Sequence, residues 1–313
     1  MTALAALVLA VLAAATLWRV SQRRAQAMTD FPAQGQFVRV NGHDVHYVQR
    51  GQGPDVVLIH GASGNTRDFT FSMVDALGDR YRVTVFDRPG FGHTPALAAR
   101  GVTLRDQAQL LSLAARDLGI ERPILVGQSF GGAVAMAWAV HHPDHVGAIA
   151  SVSGATHPWP GTLSRFHRAL AHPLIGPVMS RVLAAWVPAS YVHGQVDGAF
   201  APQPAPQGYA DAIGLGLITR PESLMANAQQ RTDLRAELRG QSALYPSVTQ
   251  PIEILHGTAD DIVSLDIHAV ALAADAPDAH LTRLPGIGHM PHHVSQPEVI
   301  AAIDRLASRA GLR

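Results

Sequence analysis

A chain of 313 residues that is 47% hydrophobic and only 15% charged can bury a sizeable core, which excludes the disordered class. Lys plus Arg and Asp plus Glu are balanced at 24 each, so no net field draws the protein to nucleic acid, and none is expected as a partner. The sequence has no cysteine and no lysine, which removes disulfides, thiolate nucleophiles, Cys-type zinc sites, Schiff-base chemistry and the P-loop lysine, but leaves the compartment open.

From Thr2 to Val20 there is no acidic residue and only Arg19 is charged. The run ALAALVLAVLAAATLW is near the minimum length for spanning a hydrocarbon core as a helix. Residues 1–27 are therefore expected to be a membrane anchor and linker. The alternative is a cleaved signal peptide, for which Ala25-Gln26-Ala27 is a small-residue site, although arginines lie between it and the apolar run. Arg19, Arg23 and Arg24 follow that run, so the positive-inside rule leaves the rest of the chain in the cytoplasm, with the periplasmic or secreted side as the alternative.

After a short linker, Phe37–Val40 and His46–Gln49 flank Asn41-Gly42, a hairpin signal. Asp55–His60 and Arg82–Phe86 are β-branched runs with a helix predicted over Thr66–Leu77 between them, a crossover that implies a parallel sheet. A helix over Leu104–Leu118 ends at Gly119 and leads to a strand at Pro123–Val126, and a helix over Gly131–His141 leads to a strand at Val146–Val152. Strands at Ile252–Leu255 and His280–Leu284, with helices at Leu265–Ala274 and Pro297–Ala307, complete an α/β fold with a mostly parallel sheet of about eight strands. Between His157 and Val248 the strand rhythm stops, leaving helical patches at Leu163–Leu170 and Met179–Trp186. Residues 157–248 are expected to form a helical cap over the strand ends, splitting the core into 28–156 and 249–313.

Gly127-Gln128-Ser129-Phe130-Gly131-Gly132 directly follows the strand ILV and opens a helix, the context a nucleophile elbow requires. A turn this tight should hold Ser129 at positive φ and project its Oγ from the sheet. A serine nucleophile needs a base, and the base an orienting acid. His289 lies just past the last strand and Asp260 just past the one before it, in the chain order Ser, Asp, His. His292 and His293 are rivals for the base and Asp261 for the acid; most of the 17 histidines, His141, His142 and His145 among them, are expected to be solvated or capping.

With these motifs in order, the chain from about Phe37 onward resembles the α/β-hydrolase family. His60-Gly61-Ala62-Ser63-Gly64 resembles the family's oxyanion-hole loop, and Asp87-Arg88-Pro89-Gly90-Phe91-Gly92-His93-Thr94 its D-x-x-G-x-G-x-S/T turn, in which His93 and Thr94 are expected to brace. The resemblance implies that the backbone N–H groups of Ala62 and Phe130 form the oxyanion hole. Ser129 departs from the haloalkane dehalogenases and epoxide hydrolases of similar layout, whose chemistry needs Asp at this position.

The expected activity is hydrolysis of a carboxylic ester through an acyl-enzyme, with no metal or organic cofactor. The expected partner is a small apolar ester, and Trp159, Phe166, Leu170, Leu174, Ile175, Met179, Leu183 and Trp186 are the candidates to line its pocket. Carbon–carbon bond hydrolysis and cofactor-free perhydrolysis use the same triad, and a non-catalytic ligand-binding or scaffold protein is the alternative from another class.

Overall fold

The computed structural model describes residues 2–313. Eight strands form one sheet in the order β1-β2-β4-β3-β5-β6-β7-β8. They are β1 Gln36–Val40, β2 His43–Arg50, β3 Asp55–Ile59, β4 Arg82–Phe86, β5 Ile124–Gln128, β6 Ala148–Val152, β7 Ile252–Gly257 and β8 Ala279–Leu284. β1 and β2 are antiparallel and β3 to β8 run parallel, so this is the mostly parallel eight-stranded α/β sheet that the sequence predicts.

Each central strand is a short apolar run because both faces of the sheet are covered. On one face lie α4 (Leu104–Asp117) and α5 (Phe130–His141), which bury Leu111, Ala115, Val134 and Trp138 against Val57, Leu125 and Ile149. On the other lie α2 (Arg67–Thr70), α3 (Met73–Gly78) and the last helix, α14 (Gln296–Arg309), which bury Phe69, Leu77, Ile303 and Leu306 against Leu58, Val85 and Val126. Thr103 starts α4 with a reciprocal capping box to Asp106. The helix predicted over Thr66–Leu77 is two short pieces, because Ser72 leaves helical geometry at φ −157°.

Six helices stand between β6 and β7: α6 (Arg165–Ala171), α7 (Gly176–Trp186), α8 (Ala189–Gly198), α9 (Tyr209–Ala212), α10 (Leu215–Ile218) and α11 (Pro221–Ser242). After β7 come α12 (Ala271–Asp275), entered through a π-turn at Leu265–Val270, and α13 (Pro291–Val294). The N-terminal helix α1 runs from Thr2 to Asp30, so the stretch expected to be linker extends the apolar helix instead. Its second half packs on the inserted helices. Arg19 and Arg23 donate to the carbonyls of Ala184, Ala185 and Val187 at the end of α7, where helix carbonyls lack partners and a cation is favoured. Trp186 Nε1 donates to Thr16 at 3.0 Å, Arg24 pairs with Glu222, and Ala27 is buried against Gly216.

Candidate active site

The carboxyl end of β5 passes through Ser129 at φ 52°, ψ −118° straight into α5. A non-glycine residue held there stores about 1–3 kcal/mol of strain. The turn is held on both sides: the Ser129 N–H donates to the Val152 carbonyl at 3.1 Å, and the Ser129 carbonyl accepts from Ala155 at 3.0 Å. The neighbouring glycines are there for space. A Cβ on Gly131 would overlap the Ile59 carbonyl, and one on Gly132 would stand 2.7 Å from the Gly154 Cα, so any side chain would push α5 off the sheet.

The structure brings Asp260 and His289 together, their Oδ2 and Nδ1 2.8 Å apart, with both side chains buried. Asp260 Oδ1 also accepts the N–H groups of Ile262 and Val263, and His256 Nε2 stands 3.3 Å from its Oδ2. Burial opposes ionisation of Asp260, but the hydrogen bonds from His256 and His289 prevail and hold its carboxyl well below the usual carboxylate range. With Asp260 anionic, His289 carries its proton on Nδ1 and presents a lone pair at Nε2, the tautomer a general base needs. The His289 loop is fixed by Gln203 of the inserted segment, which accepts from the Gly288 N–H at 2.9 Å and donates to the Gly286 carbonyl at 2.8 Å.

No hydrogen bond joins Ser129 Oγ to His289 among the described residues. The hydrogen-bond partner of His289 Nε2 is instead Gln128 Nε2 at 3.4 Å, and the same amide donates to the His289 carbonyl at 3.2 Å. Gln128 therefore ties the elbow to the histidine loop, a contact that sequence reasoning missed. So is that of Asn227 on α11, whose side chain accepts from the Ser63 N–H at 3.1 Å and braces the loop carrying Ala62. That loop abuts the elbow, since a Cβ on Gly61 would stand 3.1 Å from the Ser129 Cβ.

The rival residues lie elsewhere. Asp261 is exposed, and the Nε2 atoms of His292 and His293 face Asp68 Oδ1, at 3.2 and 2.9 Å, where Tyr209 also donates. Asp68, His292 and His293 offer three ligand atoms within 4.8 Å, but the hydrogen bonds to Asp68 occupy those atoms in each other's company. Thr94 and His93 brace as expected: Thr94 Oγ1 accepts from the His46 N–H, and the His93 N–H donates to Asp87. His145, expected on the surface, is instead buried, stacked on Trp138 and bonded to Ser112 and the Ile120 carbonyl.

The expected pocket lining divides. Leu170, Met179 and Leu183 pack among the inserted helices and Trp159 packs on the core, whereas Phe166, Leu174, Ile175 and Trp186 are exposed and Leu174 is 80% so. A cavity of about 240 Å³ between the 96–102 loop and α11 is lined by Val102, Met225 and Ala226, and by none of Ser129, Asp260 or His289.

Comparison with known proteins agrees with this architecture. Residues 54–172 match the family described as alpha/beta hydrolase fold. Haloalkane dehalogenase 2 of Mycobacterium tuberculosis is 27% identical over 266 residues, 83% of this chain and 90% of that protein. The pimeloyl-[acyl-carrier protein] methyl ester esterase of Vibrio vulnificus is 30% identical over 235 residues, 72% of this chain and 83% of that one. Among solved structures, a bacterial membrane phospholipase A superposes with a TM-score of 0.67 at 21% identity, covering 97% of this chain and 96% of that one, which shows the fold. Sheet order, elbow and relatives agree, and the chain belongs to the α/β-hydrolase family.

Proposed function

We propose that the chain is a serine hydrolase that cleaves carboxylic esters with an apolar portion. The observation that carries this is the buried Asp260–His289 pair at 2.8 Å, in an α/β-hydrolase whose elbow residue is serine. Ser129 Oγ bonds to the ester carbonyl carbon as its proton passes to His289 Nε2, and the carbonyl oxygen becomes an oxyanion held by the Ala62 and Phe130 N–H groups. Among the described residues neither amide has a protein acceptor, so both are free for that oxygen. The tetrahedral adduct collapses, the C–O bond to the alcohol breaks, and His289 returns the proton to the departing oxygen. Water then adds to the acyl-enzyme by the same route, giving its proton to His289 and releasing the acid and Ser129.

The esterase relative supports an ester over other acyl compounds. The test is labelling of the full-length protein with an alkyl phosphonate probe, combined with turnover of p-nitrophenyl esters of graded chain length. Phosphonate on Ser129 and ester turnover are expected. Inertness toward both, with cleavage of a dienoic ketone acid, would replace ester hydrolysis by carbon–carbon hydrolysis; inertness toward all three points to a binding protein.

The same proposal makes α1 a retained membrane anchor, with residues 157–248 as a cap beside it. Two observations support this. Its most apolar 18-residue window has a mean hydropathy of 2.1 and is exposed, with Leu4, Leu7, Leu9 and Leu12 unburied. Cleavage after Ala27 would also strip away the Arg19, Arg23 and Trp186 hydrogen bonds that join the helix to α7. Membrane fractions should therefore contain the intact chain, resistant to protease added outside spheroplasts; a soluble product starting after Ala27 would overturn the anchor, and digestion from outside the cytoplasmic orientation.

A further inference from the structure

Arg88 is a fully buried cation with no carboxylate partner among the described residues. Its guanidinium lies between the rings of Phe91 and Phe130, 4.5 and 4.4 Å from their centroids. Four neutral acceptors surround it: the carbonyls of His60 (from Nε, 2.9 Å) and Gly61 (from Nη2, 2.8 Å), and the side-chain oxygens of Gln107 (2.9 Å) and Gln230 (2.8 Å). A lone buried charge is costly, and a hydrophobic residue of similar volume would avoid that cost. Its place beside the site gives it something to do.

We propose that Arg88 is the positioning residue of the oxyanion hole, fixing and polarising the Ala62 N–H through the Gly61 carbonyl. The proposal rests on the serine-hydrolase reading above. In a trans peptide the C=O of Gly61 and the N–H of Ala62 point in opposite directions. Arg88 holds that carbonyl from within the protein, so the N–H is turned to the opposite side, in a loop that meets Ser129 at Gly61. His60 reinforces the clamp. Its Nε2 accepts the Arg88 backbone N–H at 3.0 Å, so its proton is on Nδ1, which donates to the same Gly61 carbonyl at 2.9 Å. The Gly64 N–H donates to it as well, at 3.4 Å, and a carbonyl with three donors on it, one cationic, withdraws electrons from its own amide and makes the N–H a stronger donor. The guanidinium also lies under the ring of Phe130, whose amide is the other proposed donor, so one cation backs both halves of the hole. A charge with no counter-ion in the resting site meets an anion when the tetrahedral adduct forms, and its attraction is then specific to the transition state.

The test uses full-length protein in detergent, with active sites counted by phosphonate labelling. Arg88→Lys keeps the charge but cannot reach both carbonyls with a planar fork. Its kcat per labelled site should fall roughly 10- to 100-fold, short of the 10²–10³ loss for removing a donor outright. KM should stay within about threefold, and the Ki of an alkylboronic acid, whose adduct puts an oxygen in the hole, should rise by the same factor as kcat falls. A merely structural role lowers the number of labelled sites and leaves kcat per site unchanged, which overturns the proposal. If Arg88→Lys does not fold, Gln230→Met decides: a loss of about 3- to 10-fold per site supports it, and wild-type turnover overturns it. Unlabelled wild type overturns the serine-hydrolase reading itself, whereas labelled wild type with an unaffected variant overturns only the role of Arg88.

Discussion

Ser129→Ala, His289→Ala and the double substitution should each lower kcat on a p-nitrophenyl ester by about 10⁶-fold, and the double variant should be no worse than either single one. In the proposed mechanism the two side chains act in one step. Without the hydroxyl His289 has nothing to deprotonate, and without the imidazole the hydroxyl stays a weak nucleophile. A residual acceleration of about 10³–10⁴ over water should survive in all three, because the Ala62 and Phe130 amides do not depend on those side chains. Asp260→Asn should cost about 10⁴-fold, since an amide donor facing Nδ1 favours the wrong tautomer. Asparagine is the better probe than alanine because Asp260 Oδ1 accepts the Ile262 and Val263 N–H groups, and alanine would leave both orphaned. Steady-state kinetics with circular dichroism on each variant would check this; losses that multiply in the double variant would show that Ser129 and His289 do not share a step.

The sheet was legible because each strand is a compact β-branched run closed by turn residues, and the elbow because its glycines and serine sit between a strand and a helix. Asp260 and His289 could be located by position alone, as the first suitable groups after β7 and β8. What could not be read was set by partners distant in sequence. The 22-residue helix α11 is not legible because its inward stripe is polar at three of seven buried positions, Ser223, Gln230 and Gln241. That stripe is polar because it meets buried polar groups: Gln230 binds Arg88, and Gln241 binds the Ala133 carbonyl and Tyr245. Hydrophobic periodicity finds a helix by its apolar face, and this helix answers a buried guanidinium instead.

The same limit explains the ends of α1 and the misplaced surface residues. Beyond Val20 the segment SQRRAQAMTD looks like linker by polarity, yet it lacks proline and glycine, and its arginines find the open end of α7. Apolarity points Trp186 to a pocket, but α7 buries the face that carries Ser180 and Ala184 and leaves Val178, Val182 and Trp186 outward, while Leu174 and Ile175 are exposed in the turn before it. Composition ranks a residue's tendency to be buried, whereas helix phase and neighbours decide which side it faces.

Acidification should unfold the protein well above the pH at which carboxylates titrate. Burial pulls His60, His268 and His292 from 6.5 down to about 4. At His60 an Arg88 N–H points at Nε2, and at His268 the N–H groups of Thr156 and His157 point at Nδ1, so neither ring can take a second proton without losing those bonds. In the unfolded chain all three protonate near pH 6.5. Between about 6.5 and 4 the unfolded state therefore binds more protons, and stability is lost as pH falls through that window. Each shift is worth about 3 kcal/mol at its acid limit, so the three together are on the order of the 5–15 kcal/mol that holds a domain folded. Glu237 acts in the opposite sense, since burial raises it to about 7 and protonation then favours the folded chain, but it is partly open to solvent and is one group against three. Asp68, Asp87 and Asp260, all held low by their histidine partners despite burial, withdraw their support only below the ordinary aspartate range. Urea unfolding from pH 8 to 4 should show a steep fall in midpoint below pH 6.5 and uptake of about two to three protons on unfolding near pH 5. His268→Gln should flatten that slope by about one proton. A midpoint that stays level from pH 7 to 5 would mean that these rings are already charged in the folded protein, and that the hydrogen bonds from Arg88, Thr156 and His157 do not hold His60 and His268 neutral.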